Sequence, residues 1–326
     1  MAKLISVISP AYNEEDCVQE LACRLKAVAA SLADRYDFEF IIIENGSRDR
    51  TLELLMEIHK ADPRFKIITF SRNFGIESAL TAGLRTASGD AAIIMCADLQ
   101  DPPELIPDLV RKWEDGFQNV YGIITARHDE GALRKFLTRR FYNLINRVSE
   151  QPIPSNVSDF RLVDRKLYQT VSQFTEHGRM LRTIWAWAGF RSIGVPHERP
   201  PRPGGRSTYN TFGAIGFALR AIASSSTVPL KIIPWIGVGL SSFSFVLLLG
   251  FVIRWVAAAV PFNGFGTIVA LLLLLFGLLF MILGIITEYI GLIFEETRNR
   301  PLFIVESTTG FDRHDAIVFD EMRMQQ

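Results

Sequence analysis

Apolar residues are distributed along this chain in two different ways. Within residues 1–125 they come in short runs bounded by turn residues: Leu4 to Ser9, Phe38 to Ile43, Lys66 to Phe70, Ala91 to Met95 and Val120 to Thr125. Runs of this length, rich in β-branched and aliphatic residues, predict strands. Between them, stretches such as Cys17 to Leu32 and Thr51 to Lys60 are amphipathic at helical spacing. Strands alternating with helices predict an α/β domain on a mostly parallel sheet, whose ligands gather at the carboxyl ends of the strands. Polar clusters fall at those ends: Tyr12-Asn13-Glu14-Glu15, Glu44-Asn45-Gly46-Ser47, and Cys96 to Asp101.

The second pattern is continuous. Ile232 to Ile253 carries no charged side chain, and neither does Val256 to Thr287. Each run exceeds the roughly 18 apolar residues that argue for a membrane span. The expected organisation is a catalytic domain over 1–210, an interfacial helical segment over 211–231, and two transmembrane helices over 232–292 (near 232–256 and 267–290). A tail, 293–326, follows. The linker around Pro261-Phe262-Asn263-Gly264 is too short for a domain, so both termini share one side. Lys231 before the first span and Arg298 and Arg300 after the second put that side in the cytoplasm by the positive-inside rule. The protein is thus expected in the inner or plasma membrane as a multi-pass protein. From Leu133 to Val148, arginines and a lysine interleave with aromatic and aliphatic residues. Such a helix suits an anionic membrane surface, or else has an ordinary solvated basic face.

The formal net charge is +0, so nothing in the bulk charge points to nucleic acid. The three cysteines, Cys17, Cys23 and Cys96, lack paired spacing, and neither a disulfide frame nor a zinc site is expected. The amino-terminal apolar run is too short for a secretory signal.

Three places carry chemistry. Asp98 and Gln100, two residues apart after a strand, could share a hard divalent cation such as Mg²⁺ or Mn²⁺, which prefers oxygen ligands; Asp-Pro is also ordinary turn chemistry. Arg199, Arg202 and Arg206 with Gly204, Gly205 and Ser207 form a loop rich in guanidinium forks and backbone N–H groups. It suits phosphate, or lipid headgroups. Asp159, in Ser158-Asp159-Phe160-Arg161-Leu162, is either paired with Arg161 or Arg165, or catalytic.

These stretches, together with Gly46-Ser47-Arg48-Asp49-Arg50-Thr51, Ser71-Arg72-Asn73-Phe74-Gly75 and Arg206-Ser207-Thr208-Tyr209, resemble the inverting family-2 glycosyltransferases of the glycosyltransferase-A fold. More narrowly, they resemble the polyprenyl-phosphate glycosyltransferases, and Ile285 to Gly291 followed by Arg300-Pro301 resembles the end of their two-span bacterial members. The resemblance runs from about residue 3 to residue 306. It implies that Pro10, Tyr12, Glu14, Glu44, Asn45, Ser47 and Cys96 cradle the nucleotide sugar. Asp98 and Gln100 would hold the divalent metal, Asp159 would stand beside the reaction centre, and Arg127, Arg202, Arg206 and Ser207 would bind phosphates. Arg72 and Asn73 are expected to support the fold beneath the site. Two departures stand out. The first carboxylate of the usual Asp-x-Asp is the thiol of Cys96, and Glu44-Asn45-Gly46-Ser47 replaces the usual Asp-Asp-Gly-Ser. Both fall at the nucleotide end.

The implied reaction moves a sugar from a nucleotide diphosphate to the phosphate of a membrane polyprenol, with UDP-glucose the first-choice donor. GDP-mannose as donor, or a non-catalytic lipid-phosphate or nucleotide binder, are the alternatives. Homo-oligomerisation through the membrane hairpin is a further expectation.

Overall fold

A computed structural model describes residues 2–127, 157–174, 176, 181–199 and 264–311, with scattered residues of the first apolar run. The chain divides into two units, Met1–Gly216 with Arg300–Gln326, and Phe217–Asn299.

The first unit is built on an 8-stranded sheet in the order β7-β5-β6-β4-β1-β2-β3-β8. The expected strands appear as β1 (Lys3–Ala11), β2 (Tyr36–Glu44), β3 (Phe65–Phe70), β4 (Ala91–Ile94) and β5 (Asn119–Arg127). Three more join them: β6 (Val157–Asp164), β7 (Ser192–Arg199) and β8 (Val305–Thr309). β1, β2, β3, β4, β5 and β7 run in one direction, with β6 and β8 against them.

Helices cover both faces, as a sheet of this kind requires. One face carries α1 (Val18–Ser31), α2 (Thr51–Ala61) and α4 (Ile106–Glu114). The other carries α3 (Ile76–Thr86), α5 (Arg165–Ser172) and α6 (Leu181–Trp187). Alternation within a strand feeds both cores: Phe40 and Ile42 point to the first, Ile41 and Ile43 to the second. Being apolar on both sides, β2 reads as one continuous run.

The sheet order also fixes where a ligand can sit. From β1 the chain builds outward through β2 and β3, then returns to lay β4 on the other side of β1. Connections diverge at the β1/β4 boundary, and a crevice opens at the carboxyl ends of such a switch point. Because β6 is antiparallel to β4, pairing Ile94 with Arg161, its first residues lie at that same end.

The stretch expected as a tail is partly structural. β8 pairs antiparallel with β3, and the Ser71 N–H donates to the Ile304 carbonyl at 3.1 Å. Phe303, 5% exposed, stacks on Phe70 with centroids 4.9 Å apart, and Phe70 meets Phe74 edge-on.

In the second unit α7 (Phe265–Thr297) is the one helix among the described residues long and apolar enough to cross a membrane. Its Leu274–Thr297 portion has a mean hydropathy of 2.1 and buries nothing within the structure. The described residues between 233 and 253 are all helical, but too scattered to define a span. The interfacial segment 211–231 and the basic stretch Leu133 to Val148 lie outside the described residues.

Candidate active site

A cleft of about 860 Å³ opens at the switch point, lined by residues following β1, β2, β3 and β4. Two of its walls are zipped together by side chains of the polar clusters. The Asn13 N–H donates to Ser47 Oγ at 3.0 Å, and the Arg48 N–H donates back to Asn13 Oδ1 at 2.9 Å. The Glu14 N–H donates to Thr51 Oγ1 at 2.9 Å. Asn13 adopts a left-handed φ of 54°, which asparagine tolerates better than most residues. Gly46 has φ 71°, and a Cβ there would stand 2.5 Å from the Arg72 backbone, so only glycine lets these turns close. Asn45 ties in the third wall: its amide oxygen accepts from the Phe74 N–H at 2.9 Å and its Nδ2 donates to the Gly75 carbonyl at 3.2 Å.

Of the residues expected to cradle a nucleotide, Pro10, Tyr12, Glu14, Asn45, Cys96 and Asp98 line this cleft. Glu44 and Ser47 are not among the lining residues. Glu44 is 2% exposed and turns into its own loop, accepting from the Ser47 N–H at 2.5 Å and the Gly46 N–H at 3.2 Å. Asn73, expected beneath the site, lines the cleft instead. Arg127 ends β5 and pairs in register with Arg199 at the end of β7. Arg202, Arg206 and Ser207 lie outside the described residues.

Next to the cleft, the loop after β4 turns sharply through Leu99, a buried non-glycine residue at φ 58°. The Gln100 N–H donates to Asp98 Oδ1 at 3.2 Å, while the second oxygen of Asp98 has no hydrogen-bond partner among the described residues. Gln100 itself does not line the cleft. No group of three His, Cys, Asp or Glu side chains placed to hold a metal occurs among the described residues. An open carboxylate lining a cleft nevertheless fits Mg²⁺ or Mn²⁺. Mg²⁺ in particular is commonly held by one or two carboxylates, water and substrate phosphates rather than by an all-protein cage.

Asp159 pairs with neither Arg161 nor Arg165. Arg182, on α6, takes it as a two-pronged fork, Nε to Oδ1 at 3.1 Å and a terminal nitrogen to Oδ2 at 2.7 Å. Burial alone would raise the Asp159 pKa; Arg182, then Arg161, outweigh it and hold the carboxyl below its ordinary value. It is therefore ionised at neutral pH. Arg161 is 2% exposed, donates to the Ser158 carbonyl and lies over the Trp185 ring. A side chain two residues along a strand shares Asp159's face but stands about 6.6 Å away, and this one turns inward.

Asp101 was not singled out by its sequence context, yet it is 1% exposed between the cleft loop and β6. Burial pushes its pKa up to about 6, against the pull of Arg199. Cys96 shares that environment. Burial, then the nearby Asp101, Asp98 and Asp159, push its thiol well above the ordinary value, so it stays protonated and poorly nucleophilic.

Residues 6–172 match the model of the family described as glycosyl transferase family 2. The chain belongs to that family. Full-length relatives extend the match. A glycosyltransferase of Synechocystis sp. is 37% identical over 94% of this transferase and 96% of its own length. The SfII prophage-derived bactoprenol glucosyl transferase of Shigella flexneri is 33% identical over 93% and 98%. A prophage bactoprenol glucosyl transferase homolog of Escherichia coli K12 is 32% identical over the same shares. The α/β sheet with a cleft at its switch point is the glycosyltransferase-A type of architecture expected of this transferase.

Proposed function

We propose that this transferase moves glucose from UDP-glucose to the phosphate of a membrane polyprenol such as undecaprenyl phosphate, inverting the anomeric carbon. The observation that carries the reading is an open carboxylate, Asp98, lining the cleft, with an ionised Asp159, clamped by Arg182, near enough that both act on the Cys96 thiol. Relatives named bactoprenol glucosyl transferase, aligned over nearly their whole length, supply the acceptor and sugar class.

The acceptor phosphate has a second pKa near 6 and is largely dianionic at pH 7. It needs no general base, which suits an Asp159 whose oxygens are both engaged and whose pKa is depressed. Asp159 then acts by holding Arg182 in place, and the arginine offsets the repulsion between two anionic substrates. Asn13, Asn45, Asn73 and Tyr12 shape the donor cleft. Asp98, which lines the cleft, would hold Mg²⁺ or Mn²⁺. Such a cation neutralises charge on the departing nucleoside diphosphate.

The chain path supports a two-span anchor. Residues before and after the apolar region belong to one folded unit, with β8 hydrogen-bonded to β3. A chain that leaves a unit and returns to it crosses a bilayer an even number of times. With α7 as one crossing, the run Ile232 to Ile253 is the natural partner, and Lys231, Arg298 and Arg300 favour a cytoplasmic catalytic unit by the positive-inside rule.

The test is a panel of sugar nucleotides with undecaprenyl phosphate and Mg²⁺ or Mn²⁺, following the lipid product. Glucosyl lipid from UDP-glucose is expected. Transfer only from GDP-mannose would overturn the donor; no lipid product from any donor would overturn the function.

A further inference from the structure

We infer that Asp101 is a positioning residue that sets the metal-side carboxylate, Asp98, against the acceptor-side carboxylate, Asp159. The inference rests on the proposed roles of those two groups. Asp98 sits on a loop beyond the end of β4, and Asp159 near the start of β6. Between loop and strand, Asp101 makes a two-sided clasp. Its Oδ2 accepts from the Cys96 N–H at 3.4 Å, closing the loop on itself, and its Oδ1 accepts from Ser158 Oγ at 3.1 Å. Ser158 Oγ in turn accepts from the Phe160 N–H at 3.2 Å, so the hydroxyl that grips Asp101 also folds the backbone around Asp159.

Three features make this more than packing. Asp101 and Ser158 are 1% and 4% exposed, so water does not replace the contact when it is lost. The bond joins the residue next to Asp159 to one three positions beyond Asp98, across 57 positions of sequence. The loop it fastens also carries its strain at Leu99, at φ 58°, between Asp98 and Gln100, so releasing the clasp frees the strained turn and moves Asp98. Transfer between two anions depends on placing their counter-charges closely, and a small misplacement is enough to slow it by tens of fold.

The experiment is a double-mutant cycle on the full-length protein, using whichever nucleotide sugar the wild type turns over. Ser158→Ala cuts the link to β6 but leaves the loop closed. It should lower kcat by about tenfold or more while donor KM stays within about twofold. Asp101→Asn keeps an acceptor for Ser158 but turns a donor toward the Cys96 N–H. It should raise the donor KM and the Mn²⁺ concentration needed for half-maximal rate. Asp101→Ala removes both contacts, so its effect and that of Ser158→Ala should be non-additive. Wild-type kcat and KM in folded variants, or effects that simply add, would overturn the inference, whatever happens to melting temperature. Binding of UDP with Mn²⁺, measured by calorimetry, separates the ideas if no donor turns over. Weakened binding in Asp101→Asn then still supports the loop half of the clasp and unchanged binding defeats it, while the proposed function alone has failed.

Discussion

Glu39 and Asp159 are both carboxylates held by a cation on the same sheet, at opposite ends of its strands, and they are held very differently. Glu39 is 4% exposed at the amino-terminal end. One of its oxygens accepts from Ser6 Oγ at 2.5 Å and from Ser88 through both N–H and Oγ, while Lys66 donates to the other at 2.8 Å. Both of its oxygens are bonded, and the groups named as lowering its pKa are Lys66, Ser6 and Ser88. At the carboxyl-terminal end Asp98, Asp101 and Asp159 lie close enough to perturb a common thiol, and Asp98 keeps an open oxygen. The same functional group is saturated singly where it holds strands together, whereas beside the cleft three carboxylates gather and one of them, Asp98, has an oxygen without a partner among the described residues. Concentrated, incompletely neutralised charge is unfavourable in an empty site and becomes favourable when a cation and phosphates enter.

The largest expected effect falls at the open carboxylate. Asp98→Ala should lower transfer by about 10³-fold or more with little change in melting temperature, because in the proposed reaction the lost group serves the departing diphosphate rather than the core. Chelation of divalent ions should reproduce the loss in the wild type. Activity in Asp98→Ala within tenfold of normal would erase the contrast between the two ends.

Next comes the clamp. Arg182→Ala should reduce kcat by about 10²-fold, and Arg182→Lys should recover little of it, because an ammonium cannot replace a two-pronged fork. Full recovery by lysine would mean that charge alone matters and that the geometry of the pair is incidental.

The opposite end should respond in stability, not in rate. Glu39→Gln is expected to cost about 2 kcal/mol, read from denaturant unfolding, with kcat per folded molecule unchanged. Burial alone would raise the Glu39 pKa, but its bonds to Lys66, Ser6 and Ser88 bring it below the ordinary value. The sign of the pH effect follows. The unfolded chain takes up this proton first, so the stabilisation is complete above the ordinary carboxylate range and fades as pH falls through it toward the lower folded value. The wild type should therefore lose stability on acidification more steeply than Glu39→Gln over that window.

What the sequence disclosed follows the same division. β1 to β5 could be read because strands covered on both faces become unbroken apolar runs. β6 could not, since Ser158-Asp159-Phe160-Arg161 alternates polar and apolar residues although Arg161 is buried over Trp185. β8 was hidden for another reason: Val305 to Thr309 is a mostly exposed edge whose place depends on pairing with β3, more than two hundred residues earlier. The polar clusters at the strand ends were visible one by one, and the resemblance to a family joined them. Arg182 was not visible, because a partner 23 residues from Asp159 on a separate helix leaves no local spacing to detect. Arg161, two residues away, drew attention by proximity and faces inward.

The finest test concerns Cys96, where this chain departs from the expected acid. A carboxylate at this position would add a fourth negative group to Asp98, Asp101 and Asp159, in a place where burial already pushes the existing thiol well above its ordinary value. The neutral thiol eases that repulsion but gives up an oxygen ligand at the cleft wall. Cys96→Asp should therefore shift two quantities in opposite directions. The Mn²⁺ concentration for half-maximal rate should fall several-fold, since another hard oxygen faces the cleft. The melting temperature of the metal-free protein should drop by a few degrees, since like charges crowd without a counter-ion. Added Mn²⁺ should recover that stability in Cys96→Asp more than in the wild type. Equal Mn²⁺ dependence in the two proteins would show that position 96 does not reach the metal, and the contrast between the ends of the sheet would then rest on Asp98 and Asp159 alone.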